Sequence, residues 1–501
     1  MKKVPLAGTD AAGGPTETLL SEVGVALLAY FDTREACTLR LICREFTEAV
    51  RWQQWEDRET VIKGSVAAWR ACFPHARCAN VRMRDSIRCS MDVRTTPVGD
   101  ADLAHLEGLR DVNMDGCEAV TDAGLARLRG IHTLNMSVCR GITSAALAHL
   151  RGIHTLDVSY CFELTDAALA PLAGLHTLRM SFCRQLSDAA LAPLRGLHTL
   201  NMRSCTGISD AGFAHLRGLH SLVIDGCPGL TDAALAHLRG IKVLSMQGCT
   251  GITDAGFAHL RGIHTLDMTH CRQPAITDAA FVHLAGIQSL CMYGCSQLTD
   301  AALAHLRGIQ KLVICDCPRL TGAAFAHLAG IHTLHMDRCG QPSIGDAALA
   351  HLRGIHTLRM SDCRQTTLTD AGFAHLAGIH TLVMSGCTQT TLTDGALAHL
   401  RGIHTLDIKC CTQATITGAG LGHLRGVRVL DISGWTQRSV TDADFAHLRG
   451  IRVLRMNFSS LASLTGAAFE HLRGIGELGL DGCRRQLVAA ARALGLPVQA
   501  Y

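Results

Sequence analysis

Apolar and polar positions recur in a fixed order along most of the chain. The stretch "GIHTLDMTHCRQPAITDAAFVHLAG" has close copies every 22 residues, or every 24 where two residues are inserted, from about residue 109 to residue 483. Within it, Leu266 and Met268 alternate with polar residues, which is typical of a half-buried strand. Each repeat therefore predicts one short strand.

A short helix is predicted in the second half of each repeat. Thr277 or Asp278 can accept hydrogen bonds from the first helical N–H groups, and Gly286 can end the helix in a left-handed conformation. Phe281 and Leu284 lie three residues apart and turn toward the interior. One such repeat cannot bury its apolar face alone, whereas stacked neighbours can.

A cysteine follows the strand in almost every repeat, and Trp435 and Ser459 replace it in two later ones. The chain begins without a secretory signal, so we expect its 23 cysteines to be thiols rather than disulfides. Their register predicts a ladder of buried thiols that behave as small apolar side chains. The ladder comprises Cys117, Cys139, Cys161, Cys183, Cys205, Cys227, Cys249, Cys271, Cys295, Cys317, Cys339, Cys363, Cys387, Cys411 and Cys483.

The pattern L-x-x-L-x-L-x-x-C and text such as "TDAGL" resemble leucine-rich repeats of the cysteine-containing subtype. The resemblance implies an α/β solenoid with a curved parallel sheet and short convex helices. The repeats are shorter than is usual for that subtype, which predicts clipped helices. We place about 17 repeats at residues 109–483 and degenerate N-terminal repeats at 61–108, with Val81 and Met83 as alternating strand residues. A C-terminal cap at 484–501 is predicted to form a helix with Leu487 and Leu494 on one side.

The segment before the array has no 22-residue period. We expect disorder in residues 1–15, whereas residues 16–60 predict a small helical domain with two amphipathic helices flanking "DTRE". Asp32 or Thr33 can cap the second helix. The segment resembles the F-box. Glu22, Tyr30 and Arg44 match its pattern, as do the apolar residues named below, and Trp52 or Trp55 corresponds to the tryptophan that often follows an F-box. The resemblance implies that the adaptor-binding residues are Leu19, Leu20, Val23, Leu27, Leu28, Phe31, Leu39, Leu41, Cys43 and Phe46.

Members of the F-box family dock a Skp-type adaptor and a cullin ligase through this segment, and hold a protein substrate with their repeats. The resemblance therefore implies the substrate-recognition subunit of a cullin-type (SCF) ubiquitin ligase. The residues leave another interpretation open. The first 60 residues can be an ordinary helical cap on a stand-alone leucine-rich-repeat scaffold or inhibitor with no link to ubiquitin.

Composition narrows the choice of partners. The net charge is +4 and aromatic residues make up 4% of the chain, whereas nucleic-acid binding favours a strongly basic surface with stacking aromatics. No apolar run reaches the 18 residues typical of a membrane span, and "VGVALLAYF" is too short. We therefore expect no nucleic-acid partner and no membrane association, and a cytoplasmic location with the nucleus as the alternative.

The repeated histidines and cysteines do not form a catalytic constellation. The sequence contains no G-x-x-x-x-G-K-[ST], G-x-S-x-G, H-E-x-x-H or C-x-x-C motif, so we predict no enzymatic activity and no cofactor. Histidines such as His259 and His283 are expected on the outward side of the helices, as solvated surface or as weak metal ligands.

Other cysteines lie outside the ladder. The spacing of Cys72, His75, Cys78 and Cys89 is compatible with zinc, although "FP" also suits the turn of a degenerate repeat. Three further cysteines, at outward strand positions, are candidates for exposed reactive thiols. They are Cys291, Cys315 and Cys410.

Variation among the repeats is concentrated at two outward strand positions, whereas the helix text barely changes. This pattern favours a binding surface on the concave sheet, and drift on a tolerant surface is the alternative. A protein ligand fits an open sheet better than a small molecule does, because small ligands favour enclosed pockets. The predicted substrate-binding residues are Asp157, Arg179, Arg203, Asp225, Tyr293, His335, Arg359, Asp407, Lys409, Asp431 and Arg455.

Overall fold

The computed structural model describes residues 32–39, 50–51, 53–83 and 97–499. They belong to two compact units, one ending at Leu219 and the other beginning at His220. In the described ranges, no helix is long and apolar enough to cross a membrane.

The first unit contains a parallel sheet in which each described strand is hydrogen-bonded to the next along the chain. Its strands are β1 (Cys78–Asn80), β2 (Asp111–Asn113), β3 (Thr133–Asn135), β4 (Thr155–Asp157), β5 (Thr177–Arg179) and β6 (Thr199–Asn201). Its α and 3₁₀ helices are Thr33–Leu39, Val66–Cys72, Asp100–Leu103, Ala104–Leu106, Asp122–Leu125, Ala126–Leu128, Ser144–Leu150, Asp166–Ala168, Asp188–Leu191 and Asp210–His215.

The second unit repeats the same arrangement in a parallel sheet. Its strands are β7 (Ser221–Val223), β8 (Val243–Ser245), β9 (Thr265–Asp267), β10 (Ser289–Cys291), β11 (Lys311–Val313), β12 (Thr333–His335), β13 (Thr357–Arg359), β14 (Thr381–Val383), β15 (Thr405–Asp407), β16 (Val429–Asp431), β17 (Val453–Arg455), β18 (Glu477–Gly479) and β19 (Val498–Gln499). Its helices are Asp232–Ala236, Asp254–Phe257, Ala258–Leu260, Asp278–Leu284, Asp300–Leu303, Gly322–His327, Asp346–Leu349, Ala350–Leu352, Asp370–Phe373, Ala374–Leu376, Asp394–Ala398, Gly418–Leu421, Gly422–Leu424, Asp442–Leu448, Gly466–Leu472 and Arg485–Ala493.

The core of each repeat consists of the residues that the periodicity singled out. Leu266 of β9 and Met268, which directly follows β9, are buried on the inner side of the sheet. Phe281 and Leu284 of the following helix are buried as well. Gly286 ends that helix with φ +86°, a conformation that a side chain would strain. The predicted strand-and-helix repeat is therefore confirmed. Most helices are only three to seven residues long and many are 3₁₀, in agreement with the expected clipping.

Neighbouring helices are linked at their first turns. The hydroxyl of Thr277 caps its own helix by accepting the N–H of Ala279. The N–H and hydroxyl of Thr277 also donate to the two carboxylate oxygens of Asp254 in the preceding repeat, at 2.7 and 2.6 Å. The same bond pair joins Asp278 to Thr299 one repeat later. These charge-assisted bonds connect most helix starts to the one before, with glycine in place of the aspartate at Gly322 and Gly418.

The cysteine ladder is buried as predicted except for Cys483, which is half-exposed, and the thiols also act as donors. The Sγ of Cys249 donates to the carbonyl oxygen of Ile224 at 3.1 Å, and Cys271 donates in the same way to Met246. Burial raises the pKa of Cys249 to about 12, so its thiol stays protonated. Describing these cysteines only as small apolar groups was therefore incomplete, because each also satisfies a backbone carbonyl.

Both ends of the array differ in detail from the sequence-based prediction. The buried alternating pair of β1 is Ala79 and Val81, whereas Met83 is half-exposed, so the prediction was displaced by two residues. At the other end, the helix Arg485–Ala493 buries Leu487 as predicted. Leu494 lies just past that helix and is half-exposed.

Part of the N-terminal segment packs against the first strands. The helix Thr33–Leu39 begins at Asp32, whose carboxylate accepts the N–H of Glu35 while the carboxylate of Glu35 accepts the N–H of Asp32. Trp55 is buried edge-on against Phe73, with ring centroids 5.7 Å apart. Through Trp55, residues shortly before residue 60 form part of the same packed core as the first repeat.

Candidate functional site

The outer sheet face is formed by the last residue of each strand and the residue two positions later. Parallel pairing places Asp157 of β4 beside Arg179 of β5, and Arg179 beside Asn201 of β6. The second position of the face carries Ser159, Ser181 and Arg203 on the same three repeats. The side chains that varied among repeats therefore do lie side by side on one surface of the first unit.

Arg179 and Arg203 are exposed on this face, and both line one cavity. Within the described part of the chain, neither guanidinium forms an ion pair or a hydrogen bond. The outer-face arginines of the second unit differ, because Arg359 lies 3.6 Å from Asp337 and Arg455 lies 2.8 Å from Glu477. The two cations of the first unit are thus available to a ligand.

Asp157 lies on the outer face but is buried by the side chains around it. One of its carboxylate oxygens accepts the N–H of Ser159 at 2.9 Å. Burial raises the pKa of Asp157, and bonds from Ser159 together with the charge of Arg179 offset part of that rise. This carboxylate therefore acts as a buried floor of the site rather than as an exposed contact.

The polar floor beneath the arginines is internally hydrogen-bonded. The hydroxyl of Ser159 accepts the N–H of Ser181 at 3.2 Å, and the hydroxyl of Ser181 donates to the amide oxygen of Asn201 at 3.0 Å. That amide oxygen also accepts the N–H of Arg203 at 3.2 Å. These bonds fix the floor and position the strand segments that carry Arg179 and Arg203.

Two aromatic side chains form a wall of the same cavity, and the sequence analysis did not select them. The rings of Tyr160 and Phe182 are stacked with centroids 4.6 Å apart and an interplanar angle of 14°. Both residues have positive φ, +61° and +62°. At the equivalent position Gly226 occurs in a later repeat, whereas Val138 and Ser204 also have positive φ, so this conformation is a property of the turn in the repeat.

The resulting cavity has a volume of about 550 Å³ and lies entirely within the first unit. Arginine N–H groups, the Tyr160 hydroxyl and the aromatic ring edges surround a floor of Ser137, Asp157 and Asn201. The exposed groups are mainly hydrogen-bond donors. The cavity can therefore bind a group rich in acceptor oxygens.

The predicted outer-face residues of the second unit form several smaller arrangements. Asp225 is buried and accepts bonds from the hydroxyl of Ser245 at 2.6 Å and from the N–H of Gln247 at 3.0 Å. Tyr293 is half-exposed and contacts His270 edge-on at 4.9 Å. Asp225 is thus sequestered, whereas Tyr293 remains accessible.

His335 pairs in register with Arg359 and is half-buried. Burial and the charge of Arg359 lower the pKa of His335, so its imidazole is largely neutral at pH 7. Farther along, Asp407, Asp431 and Arg455 follow one another in register, and Lys409 is exposed beside them. These residues form a group of mixed charge on the outer face of β15, β16 and β17.

The three candidate reactive thiols have different environments. Cys410 is exposed, Cys291 is half-buried and Cys315 is buried. Burial raises the pKa of Cys315 to about 11, so the expectation of an exposed reactive thiol at Cys315 was wrong. Its neighbours along the sheet cover the sulfur, which the alternation of strand residues alone did not reveal.

The strand-leading histidines form stacks, which the sequence analysis described only as surface. His154 and His176 stack with centroids 4.5 Å apart in the first unit, and His356 and His380 do so in the second. The stacks extend to His132 and His198, and to His332 and His404. Each Nδ1 lies 3.1–3.3 Å from the hydroxyl of the next threonine.

The cysteine-rich stretch near the N-terminus shows a different bonding pattern from a metal site. The Sγ of Cys78 donates to the carboxylate of Asp111 at 3.2 Å, and that carboxylate also forms an ion pair with Arg58 at 2.8 Å. Burial raises the pKa of Cys78 to about 11. Among the described residues, no group of three or more potential ligands is arranged to hold a metal ion.

The adaptor-binding candidates are almost all outside the described residues. Leu39 is the last residue of the helix Thr33–Leu39. The remaining candidates that fall outside the described residues are Leu19, Leu20, Val23, Leu27, Leu28, Phe31, Leu41, Cys43 and Phe46.

Several solved structures share the fold of this chain. The chain superposes on TLR13 in a complex with ssRNA13 with a TM-score of 0.62, at 16% identity over 86% of this chain and 67% of that chain. For Drosophila Toll bound to Spatzle, the TM-score is 0.53 at 15% identity, over 85% of this chain and 64% of that one. For mouse RP105 bound to MD-1, the TM-score is 0.53 at 12% identity, over 86% of this chain and 79% of that one.

These neighbours confirm the predicted α/β leucine-rich-repeat fold, and at such identities they indicate the fold alone. No protein-family model and no curated protein matches the sequence. The F-box and the cysteine-containing subtype therefore stay predictions. A leucine-rich-repeat array of this kind is suited to protein–protein interaction, because it offers a long, ordered surface.

Proposed function

We propose that this protein is a binding scaffold whose outer sheet face holds a protein partner, with the cavity around Arg179 and Arg203 at its centre. The observation that carries this proposal is the pair of exposed arginines without ion-pair partners among the described residues. They stand beside the stacked rings of Tyr160 and Phe182. Arginine and aromatic side chains are the residues that most often dominate binding energy at protein interfaces.

We further propose that the scaffold is the substrate-recognition subunit of a cullin-type ubiquitin ligase. The support is the F-box resemblance of residues 16–60, and the capped helix that begins at Asp32, where the second F-box helix was expected. In this proposal the segment docks a Skp-type adaptor and the outer sheet face presents the substrate. A stand-alone scaffold would use the same face without the adaptor.

Adaptor docking is tested with point variants of the full chain. Deleting residues 1–60 would remove Trp55 and Arg58, which pack on or bond to the first repeats, so a loss of binding would be ambiguous. Leu27→Asp with Phe31→Asp should instead abolish capture of a purified Skp-type adaptor, because a charge buried at an interface costs several kcal/mol. Capture that survives both changes would leave the stand-alone scaffold as the better interpretation.

The outer face is tested separately by charge reversal. Arg179→Glu with Arg203→Glu should weaken partner binding while the melting temperature stays close to that of the wild type, because both side chains are exposed. His259→Ala with His283→Ala on the helices is the matched control and should leave binding unchanged. If only the histidine variant loses the partner, the binding face is on the helix side.

A further inference from the structure

The outer-face cavity of the first unit presents more hydrogen-bond donors than acceptors. Arg179 and Arg203 each carry five N–H groups in a planar fork, and no described group uses them. The hydroxyls of Ser159 and Ser181 are already engaged within the floor. An incoming group therefore meets N–H donors and positive charge, which matches a compact oxyanion with several acceptor oxygens.

The charge of the cavity suits one oxyanion rather than a chain of them. Its two arginines face one buried carboxylate, Asp157, whose pKa is raised by burial. The outer-face positions on the two preceding strands are Asn113, Asp115, Asn135 and Ser137, none of which is basic. A single-stranded nucleic acid would instead need a basic track along the sheet.

The aromatic wall adds an apolar side to the cavity. The positive φ of Tyr160 and Phe182 belongs to the turn of the repeat, since Val138 and Ser204 adopt it at the same position. The stacked rings of Tyr160 and Phe182 are half-exposed and stand at the rim of the cavity. They can cover the aliphatic or backbone part of a ligand whose charged end reaches the arginines.

We propose that this cavity binds a phosphate monoester on a side chain of the protein partner, with Arg179 and Arg203 as its ligands and Tyr160 and Phe182 against the flanking chain. The inference rests on the proposed function, in which the outer sheet face holds a protein. A phosphorylated side chain carries a charge near −2 at pH 7 and three acceptor oxygens. A carboxylate offers half that charge and two oxygens, so it satisfies fewer of the available donors.

The test uses the full-length protein and three pools of degenerate peptides that differ only in the central residue, which is phosphoserine, glutamate or alanine. Fluorescence anisotropy measures the affinity of each pool. The phosphoserine pool should bind at least about tenfold more tightly than the alanine pool, and inorganic phosphate should compete with it. A single-stranded RNA oligonucleotide is included as a polyanion.

Two variants accompany the wild type. Arg179→Gln with Arg203→Gln should reduce phosphoserine-pool binding at least about tenfold, to the level of the alanine pool. Arg473→Gln is the matched control, because that exposed arginine directly follows the helix Gly466–Leu472 rather than lying on a strand, and it already pairs with Glu470. It should leave the affinity unchanged.

The outcomes separate this inference from the proposed function. If phosphoserine and alanine pools bind equally and both are lost in the double variant, the phosphate inference is overturned while protein binding at the face stands. If no pool binds, or if the RNA binds more tightly than the phosphoserine pool, the inference is also overturned. Loss of phosphoserine preference in Arg473→Gln, with the double variant unaffected, would place the oxyanion site away from Arg179 and Arg203 and contradict it.

Discussion

Trp435 donates its indole N–H to the carbonyl oxygen of Ile408 at 2.8 Å, replacing the bond that a cysteine thiol makes in neighbouring repeats. Ser459 donates to Ile432 in the same way at 2.9 Å. Side chains of very different size therefore share one property at this position, a donor directed at a backbone carbonyl of the preceding repeat. The position selects for that donor as well as for apolar volume.

This relationship predicts an ordered effect of substitutions at Cys249. Alanine removes one of two donors from the carbonyl of Ile224, which keeps the N–H of Cys227 at 3.2 Å, whereas serine of nearly equal size restores the second donor. Because one hydrogen bond contributes a net of about 0.5–1.5 kcal/mol, Cys249→Ala should lower the free energy of unfolding by about 1 kcal/mol more than Cys249→Ser. Urea unfolding of the two variants measures the difference. Equal destabilisation would mean that the thiol contributes only packing.

Thiol accessibility predicts the order of alkylation. Cys410 is exposed and should react first under native conditions, and Cys291 should follow more slowly because burial raises its pKa. Cys315 and ladder members such as Cys249 should stay unmodified until the protein unfolds. Mass spectrometry of peptides after timed labelling checks the order. Cys410→Ser is the control and should remove the fast phase, and fast modification of Cys249 would contradict the buried register.

Backbone strain at Phe458 predicts that glycine is more stable than alanine at this position. This residue has φ +56° and its side chain is 72% exposed. Glycine adopts that conformation freely, whereas alanine keeps the penalty, so Phe458→Gly should be more stable than Phe458→Ala by about 1 kcal/mol. The comparison removes the same aromatic ring in both variants. Denaturation midpoints of the pair measure the strain, and equal midpoints would show that the strain is absent.

The histidine stacks predict a loss of stability in mild acid. Partial loss of hydration and the charges of His154 and His198 lower the pKa of His176. Partial loss of hydration and the charges of His380 and His332 lower the pKa of His356 in the same way. Because the folded state binds these protons less readily than the unfolded chain, the stacks contribute fully above the unfolded pKa near 6.5. Their contribution falls as the pH decreases below that value.

The measurement is the urea midpoint between about pH 7.5 and about pH 5, the range in which histidine titrates. His154→Gln with His176→Gln should flatten the acid decline, since glutamine occupies the same position naturally at Gln288 and Gln310. His259→Gln, on a helix, is the control and should keep the wild-type slope. Identical slopes in all three proteins would contradict the role of the stacks.

The sequence predicted those features that depend on residue type and period. The spacing of Leu266, Met268 and Cys271 was enough to identify the strand, its inner side and the buried thiol, because these properties recur in each repeat. The burial of Asp157 and Cys315 was missed because it depends on side chains of adjacent repeats. An outward position on a strand is exposed only if its neighbours leave it uncovered.

The aromatic wall could have been found from the sequence by comparing a different position. The residue before each cysteine is glycine in some repeats, whereas Tyr160 and Phe182 are bulky aromatic residues at two adjacent copies of this position and adopt the same left-handed conformation. The register of the degenerate first strand was harder to predict. In it Ala79 replaces the usual leucine, so the stronger apolar pair Val81 and Met83 suggested the wrong register.

The bonds between Asp254 and Thr277 run in one direction along the chain, since most repeats supply a hydroxyl and an N–H to the repeat before them and a carboxylate to the repeat after them. A tandem copy of one repeat would therefore arrive with both halves of the junction, and it would restore the links on either side of the insertion. Gene duplication in whole repeats can lengthen or shorten such an array without leaving a helix start uncapped. Recombination out of phase would separate a threonine from its carboxylate. Duplication of whole, near-identical repeats keeps these bonds and therefore disturbs the array least.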